Sequence, residues 1–218
     1  MLVAAQSRIF IYFLLLSSIG FSQKQVIKKF TSENNKITIA TEGLDSFVIE
    51  NTTSKFIEVI LHAENPTKQH ILVDEKHYET VIKFQLPVVL EKEIIFRKFI
   101  TERLQRAKAV IRIPINKQVI IFGDNIDVTS KGCKNNLEIY IENGIVKFKE
   151  VQGNVLLKLY SGNVYASLKK STINIVSNNG AIKVDEETYQ KKYVNSSKKH
   201  TLNFTANSLK ANFFIDAE

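Results

Sequence analysis

The chain has 218 residues, 44% of them hydrophobic and 24% charged, and its 30 Lys and Arg against 22 Asp and Glu give a net charge of +8. That length fits one domain with at most a small appendage, and the apolar share supports a packed core rather than a disordered or collagen-like chain. A single cysteine excludes an internal disulfide, and three prolines argue against long linkers. The basic balance suits acidic glycans, lipid headgroups or plain solubility, and with no arginine-rich cluster or nucleic-acid motif beside it, no nucleic-acid partner is expected.

Residues 1–22 read as an export signal. Arg8 supplies the positive start, the run from Ile9 to Leu16 the apolar segment, and Gly20 and Ser22 the small residues before a cut at Gln23. The run is short for a membrane span of about 20 residues. The expectation is an exported chain, periplasmic, at the cell surface or extracellular. Its lone Cys133 lies between Gly132 and Lys134, where lysines could lower a thiol pKa, but no histidine stands near it as a base, and it reads as a bystander, with intermolecular pairing as the alternative.

Residues 23–108 read as irregular β-structure, either early coils or a cap. Ile37/Ile39, Phe47/Ile49, Ile57/Val59/Leu61 and Ile71/Val73 alternate, with breaks at Glu42-Gly43 and Asn65-Pro66-Thr67. The period changes over 91–107. Phe96, Ile100, Leu104 and Ala107 share a helical face, and Lys98/Glu102 and Glu102/Arg106 are spaced as helical ion pairs, so one short helix is expected there.

Residues 109–190 carry the clearest pattern. Three 18-residue units follow one another without a gap, 137–154, 155–172 and 173–190. Asn143-Gly144, Ser161-Gly162 and Asn179-Gly180 fall at one phase, as do Leu137/Ile139/Ile141, Val155/Leu157/Leu159 and Ile173/Ile175. A second alternation follows each glycine: Val146/Phe148, Val164/Ala166, Ile182/Val184. Each unit is thus two strands joined through a glycine. A meander of hairpins or a sandwich is one reading. The fixed period favours another, an all-β, single-stranded β-solenoid in which Gly144, Gly162 and Gly180 are structural turns and like stacks on like at roughly 4.8 Å. In that arrangement Ile139, Leu157 and Ile175 stack inward. A less regular coil precedes them, with Val119 and Ile121 before Gly123-Asp124, Ile126 and Val128 after, and the stretch from Thr129 to Asn136 making it longer than the others by about two residues.

The tandem strand–(Asn/Ser)-Gly–strand units, behind an export signal, resemble the bacterial "putative adhesin" domain family of unknown function. The likeness covers about 109–190 well and 23–108 weakly. Members often carry Gly-Asp-Ile or Gly-Asn-Ile after the turn; here the matching residues are Gly144-Ile145-Val146, Gly162-Asn163-Val164 and Gly180-Ala181-Ile182, so only the middle unit keeps the polar residue. The resemblance implies a secreted or surface β-solenoid and transfers no catalytic residue.

Residues 191–218 read as a polar loop followed by capping strands. A search for chemistry finds little. His62, His70 and His77, with Asp74 and Glu75, are the only histidine group, and the odd spacing of His70 and His77 sends them to opposite faces of a strand. No nucleophile elbow, phosphate loop or zinc-protease motif is present. Asp185-Glu186-Glu187 is consecutive, so its side chains diverge. No cofactor, metal or catalysis is expected. The reading is a secreted or envelope interaction module, with a carbohydrate-active enzyme on a parallel β-helix, or a periplasmic lipid-handling protein, as the alternatives. Lys147, Tyr165 and Lys183 share one outward phase and form the candidate ligand surface, a Lys–Tyr–Lys ladder suited to an anionic glycan or another envelope protein.

Overall fold

The computed structural model describes residues 24–86, 107–168, 171–196 and 201–217. The expected export signal over 1–22 and, save for Ala107, the expected helix over 91–107 lie outside these residues. Within them the chain is all-β, with one short 3-10 turn at Lys68–His70 and no helix long and apolar enough to cross a membrane.

Alternation sets most of the strands, which bury the residues it marks; β1 and β13, at the edges, bury none fully. The N-terminal part holds β1 (Lys24–Phe30), β2 (Lys36–Ala40), β3 (Ser46–Thr52), β4 (Ile57–Ala63), β5 (Ile71–Glu75) and β6 (Glu79–Phe84). Then come β7 (Lys108–Pro114), β8 (Gln118–Asn125), β9 (Asp127–Lys131), β10 (Asn136–Lys149), β11 (Val155–Ser167), β12 (Ser171–Val184), β13 (Glu187–Asn195) and β14 (Leu202–Asp216). All fourteen belong to one sheet of mixed strand order, which wraps into a nearly closed, barrel-like wall around one continuous core. Long bent strands make this possible: β10 pairs with β8 over its first half and with β9 over its second.

The 18-residue repeat appears directly as register. β11 runs parallel to β10 with Leu137 opposite Val155, Gly144 opposite Gly162 and Phe148 opposite Ala166. The preceding coil keeps the same spacing, Val119 opposite Leu137 and Val128 opposite Val146. That register also corrects an expectation: Asn125 stands opposite Asn143, so the counterpart of Gly144 is Ile126, not Gly123, and the early coil is no longer than the others.

The third unit departs from the expected stack. β14, read from the sequence as a cap, lies inside the sheet between β11 and β12, parallel to both. Leu157 therefore stands against Ala206, and Ala206 against Ile175. A run of consecutive coils is not the order this sheet has. The physical reason lies in β14 itself: Phe204, Ala206, Ala211, Phe213 and Ile215 repeat the inward alternation of the units and are all buried, so it fits between β11 and β12 in the sheet.

The interior consists of like-on-like rows. Ile82, Ile39, Ile121, Ile139, Leu157, Ala206 and Ile175 form one, and Phe47, Val128, Val146, Val164, Phe213 and Ile182 another; every member is fully buried. Of the described residues before β7, β2 and β3 pair parallel with β8 and β9, while β1, β4, β5 and β6 close that end with antiparallel pairings β1–β4, β4–β7 and β5–β6. At the other end β13 lies antiparallel on β12. The edge strands β1 and β13 carry Lys24, Lys28, Lys29, Lys191 and Lys192, which oppose edge-to-edge pairing with other chains.

Outside, cross-strand charges alternate in sign. Lys29 and Glu58 meet at 2.8 Å, Glu58 and Arg112 at 2.7 Å, Arg112 and Glu50 at 2.9 Å. The Lys29 ammonium, with the Arg112 guanidinium behind it, holds the Glu58 carboxyl below its ordinary pKa.

Candidate functional site

The predicted row is on one outer face, but with an added member. Lys147 stands opposite Tyr165, Tyr165 opposite Phe214, and Phe214 opposite Lys183. The insertion of β14 thus places a second ring where the sequence suggests lysine next to tyrosine. The Tyr165 and Phe214 rings stack, with centroids 5.0 Å apart and planes 12° from parallel, and remain 41% and 38% exposed. The result is a cation, two stacked rings and a cation in four successive strands. Lys149, Ser167, Asp185 and Asp216 join these residues around a shallow groove of about 670 Å³. Two carboxylates form its rim and have partners: Asp216 accepts from the Ser167 hydroxyl at 3.1 Å, and Asp185 from the Ala217 amide at 2.9 Å.

The three glycines occupy the bends. Gly144 and Gly162 have φ of 154° and 131°, and a Cβ on either would lie about 2 Å from the carbonyl oxygen one strand away, 1.9 Å from Ile126 and 2.0 Å from Gly144 respectively. Gly180 has no left-handed φ, but a Cβ there would meet the Ala211 oxygen at 1.9 Å. The bends are held by polar ladders beside the glycines: Asn143 donates to Asn125 at 3.2 Å, the Ser161 hydroxyl to Asn143 at 3.0 Å, and the Ile145 amide to Asp127 at 2.9 Å. None is a loop; the strands run through them without interruption.

Other candidates separate. Cys133 is buried, 3.4 Å from the Asn135 side-chain oxygen, and burial pushes its thiol pKa up, opposite to the effect expected of flanking lysines. His70 accepts from the Thr67 amide, and His77 packs edge-on against Tyr78. Among the described residues no three His, Cys, Asp or Glu side chains converge as a metal would require. Asp185 and Glu187 diverge, the latter accepting a hydrogen bond from the Tyr189 hydroxyl, whose pKa this bond pushes up to about 12.

A second groove, of about 770 Å³, lies before the bend and was missed by the sequence reading. One wall is the row Phe122, Tyr140, Lys158 and Asn207, in register on successive strands. Phe122 and Tyr140 stack at 5.2 Å with planes 18° apart, and the Lys158 ammonium lies 5.3 Å from the Tyr140 ring centre. Tyr160, two residues beyond Lys158 on β11, also lines the groove, with Lys210 5.6 Å from its ring centre. Phe122, Tyr140 and Lys158, and likewise Asp124, Glu142 and Tyr160, are spaced by 18 residues. That periodicity was available in the sequence; the irregular early coil, aligned on Gly123, hid it.

No protein family matches the chain by sequence, and no curated protein does. Solved structures do. A putative cell adhesion protein from Clostridium sporogenes is 12% identical over 90% of this chain and 100% of its own, with a TM-score of 0.62. Putative adhesins from Bacteroides fragilis and Parabacteroides merdae are 16% and 13% identical, covering 88% of this chain and 98% and 81% of theirs, at TM-scores of 0.33 and 0.37. The likeness to the Clostridium sporogenes protein extends over that protein's whole length and shows that the two chains share a fold.

Proposed function

We propose that this chain is an exported, adhesin-like interaction module of the cell envelope, which binds rather than catalyses. In this reading the coils from 118 to 184, together with β14, work as a solenoid-like stack that displays repeated outward rows. The ligand is an extended anionic glycan lying along Lys147, Tyr165, Phe214 and Lys183. The observation that carries this is the row itself: two exposed, stacked rings between two lysines, at a step of roughly 4.8 Å set by strand pairing. Lysines at either end meet acidic groups, and the rings offer an apolar floor to the sugars between them. Asp185 and Asp216, held by their own hydrogen bonds, bound one side of the groove and keep an acidic chain over the rings. The shared fold with a protein named for cell adhesion supports the reading.

Binding to alginate, polygalacturonate and heparin at low and moderate salt tests it. The wild type is expected to bind at least one, more weakly as salt rises, and the double variant Lys147→Glu, Lys183→Glu to lose that binding at least tenfold with an unchanged melting temperature. Absence of binding, or indifference to the double change, would overturn it. Release of reducing ends or unsaturated sugars from any of the three would instead make Asp185 and Asp216, side by side in the same groove, the acid groups of an enzyme.

A further inference from the structure

The second groove has a different chemistry and does not depend on the first reading. Its lining is mixed, with the rings of Phe122, Tyr140 and Tyr160 set among charged and amide side chains. Phe122 and Tyr160 are 46% and 49% exposed, a high value for two large rings facing one cleft. The cations near it are committed to the rings, Lys158 over Tyr140 and Lys210 over Tyr160. Asp124 and Glu142 line one rim, are exposed, and have no hydrogen bond or ion pair among the described residues. Asn207 and Asn178 continue the polar edge.

We propose that this groove is a second ligand site, for an uncharged, β-1,4-linked oligosaccharide. Three observations select that class. Asp124 and Glu142 balance the charges of Lys158 and Lys210, so this groove, unlike the basic row, has no net positive charge to draw in a polyanion. The strands under it are paired on both sides, so no backbone edge is free to add a peptide strand. A β-1,4-linked chain is a flat ribbon with apolar faces and hydroxyl edges. It matches ring walls flanked by carboxylates and amides, which accept and donate the hydrogen bonds that hydroxyls need. The groove crosses five strands, β8, β10, β11, β14 and β12, so its floor spans about 19 Å at roughly 4.8 Å per step. That is room for a short oligosaccharide rather than a single sugar.

The test is calorimetric titration of the full chain with cellohexaose and with chitohexaose. At least one is expected to bind, with an affinity unchanged between low and moderate salt. Phe122→Ala with Tyr140→Ala should weaken it at least tenfold, and Glu142→Gln about threefold. Lys147→Glu with Lys183→Glu should leave it unchanged, which keeps this site distinguishable from the basic row. Because the paired ring deletion could disturb folding, Tyr160→Ala alone, in the same lining, should also weaken binding at least threefold at an unchanged melting temperature. Failure of both hexamers to bind overturns the proposal. So does binding that survives the ring deletions, binding lost with Lys147 and Lys183, or displacement of the bound hexamer by hexalysine, which would mark the rim as a site for basic chains.

Discussion

At the scale of single residues, backbone closeness decides more than side-chain chemistry. A Cβ at position 162 would sit 2.0 Å from the Gly144 oxygen, and that atom belongs to a paired strand that cannot retreat without breaking its own register. Gly132 makes a useful contrast. Its φ is +56°, but the nearest atoms to an added Cβ are side-chain ends of Glu150 and Gln152 at 3.7 and 3.8 Å. Gly132→Ala should therefore cost about 1 kcal/mol, the left-handed penalty alone. Gly162→Ala combines a left-handed φ with a backbone clash and should cost at least about 3 kcal/mol. Urea unfolding of the two variants measures this; equal losses would show that φ, not the neighbouring strand, requires the glycine. Ala211 faces Gly162 across the pair, and it is this replacement that hides β14 as a copy of the repeat.

At the scale of elements, alternation was legible and slot order was not. The inward and outward phases of β10, β11 and β12 follow from the sequence, as does their two-strand-and-bend form. Leu157 is fully buried between Ile139 and Ala206, while Lys158 beside it is exposed. Leu157→Asp should cost several kcal/mol and unfold the protein, because total stability is about 5–15 kcal/mol and a buried carboxylate finds no partner there. Lys158→Asp should cost under about 1 kcal/mol. Similar melting losses for both would contradict the alternation. The order of strands could not be read the same way. Period-2 patterning fixes which face of a strand is buried, but any strand with that pattern fits any slot. β14 carries it with Ser208 and Ala211 in place of leucine and glycine, so its membership in the stack was invisible. The outward row was readable for the same reason and to the same limit: Lys147, Tyr165 and Lys183 share a phase, and Phe214 joins them only because β14 is inserted.

At the scale of the molecule, the insertion of β14 sets up two competing arrangements of one sequence. The observed pairings are long-range, with offsets of 49 residues to β11 (Val155 to Phe204) and 31 to β12 (Ile173 to Phe204). The alternative places β12 directly on β11 at an offset of 18, like on like: Leu157 on Ile175, Gly162 on Gly180, Val164 on Ile182. The intact chain gains by insertion because it buries Phe204 and Phe213, each worth about 1.5–3 kcal/mol, and Phe204 packs edge-on against Phe148 at 5.4 Å. A chain ending at Thr201 has no such gain, and its β12 should close the gap onto β11. The Lys158→Cys, Val176→Cys pair reads out the change. In the full chain these positions are separated by Asn207, two strand steps or roughly 9.6 Å apart, beyond disulfide reach. In the shortened chain they become direct neighbours at roughly 4.8 Å, within it. Mild oxidation should cross-link the shortened chain and leave the full chain reduced, and the shortened chain should melt cooperatively at a lower temperature. A cross-link in the full chain would refute the insertion. A shortened chain that aggregates without cross-linking would show instead that β14 is required for the coils to stack at all.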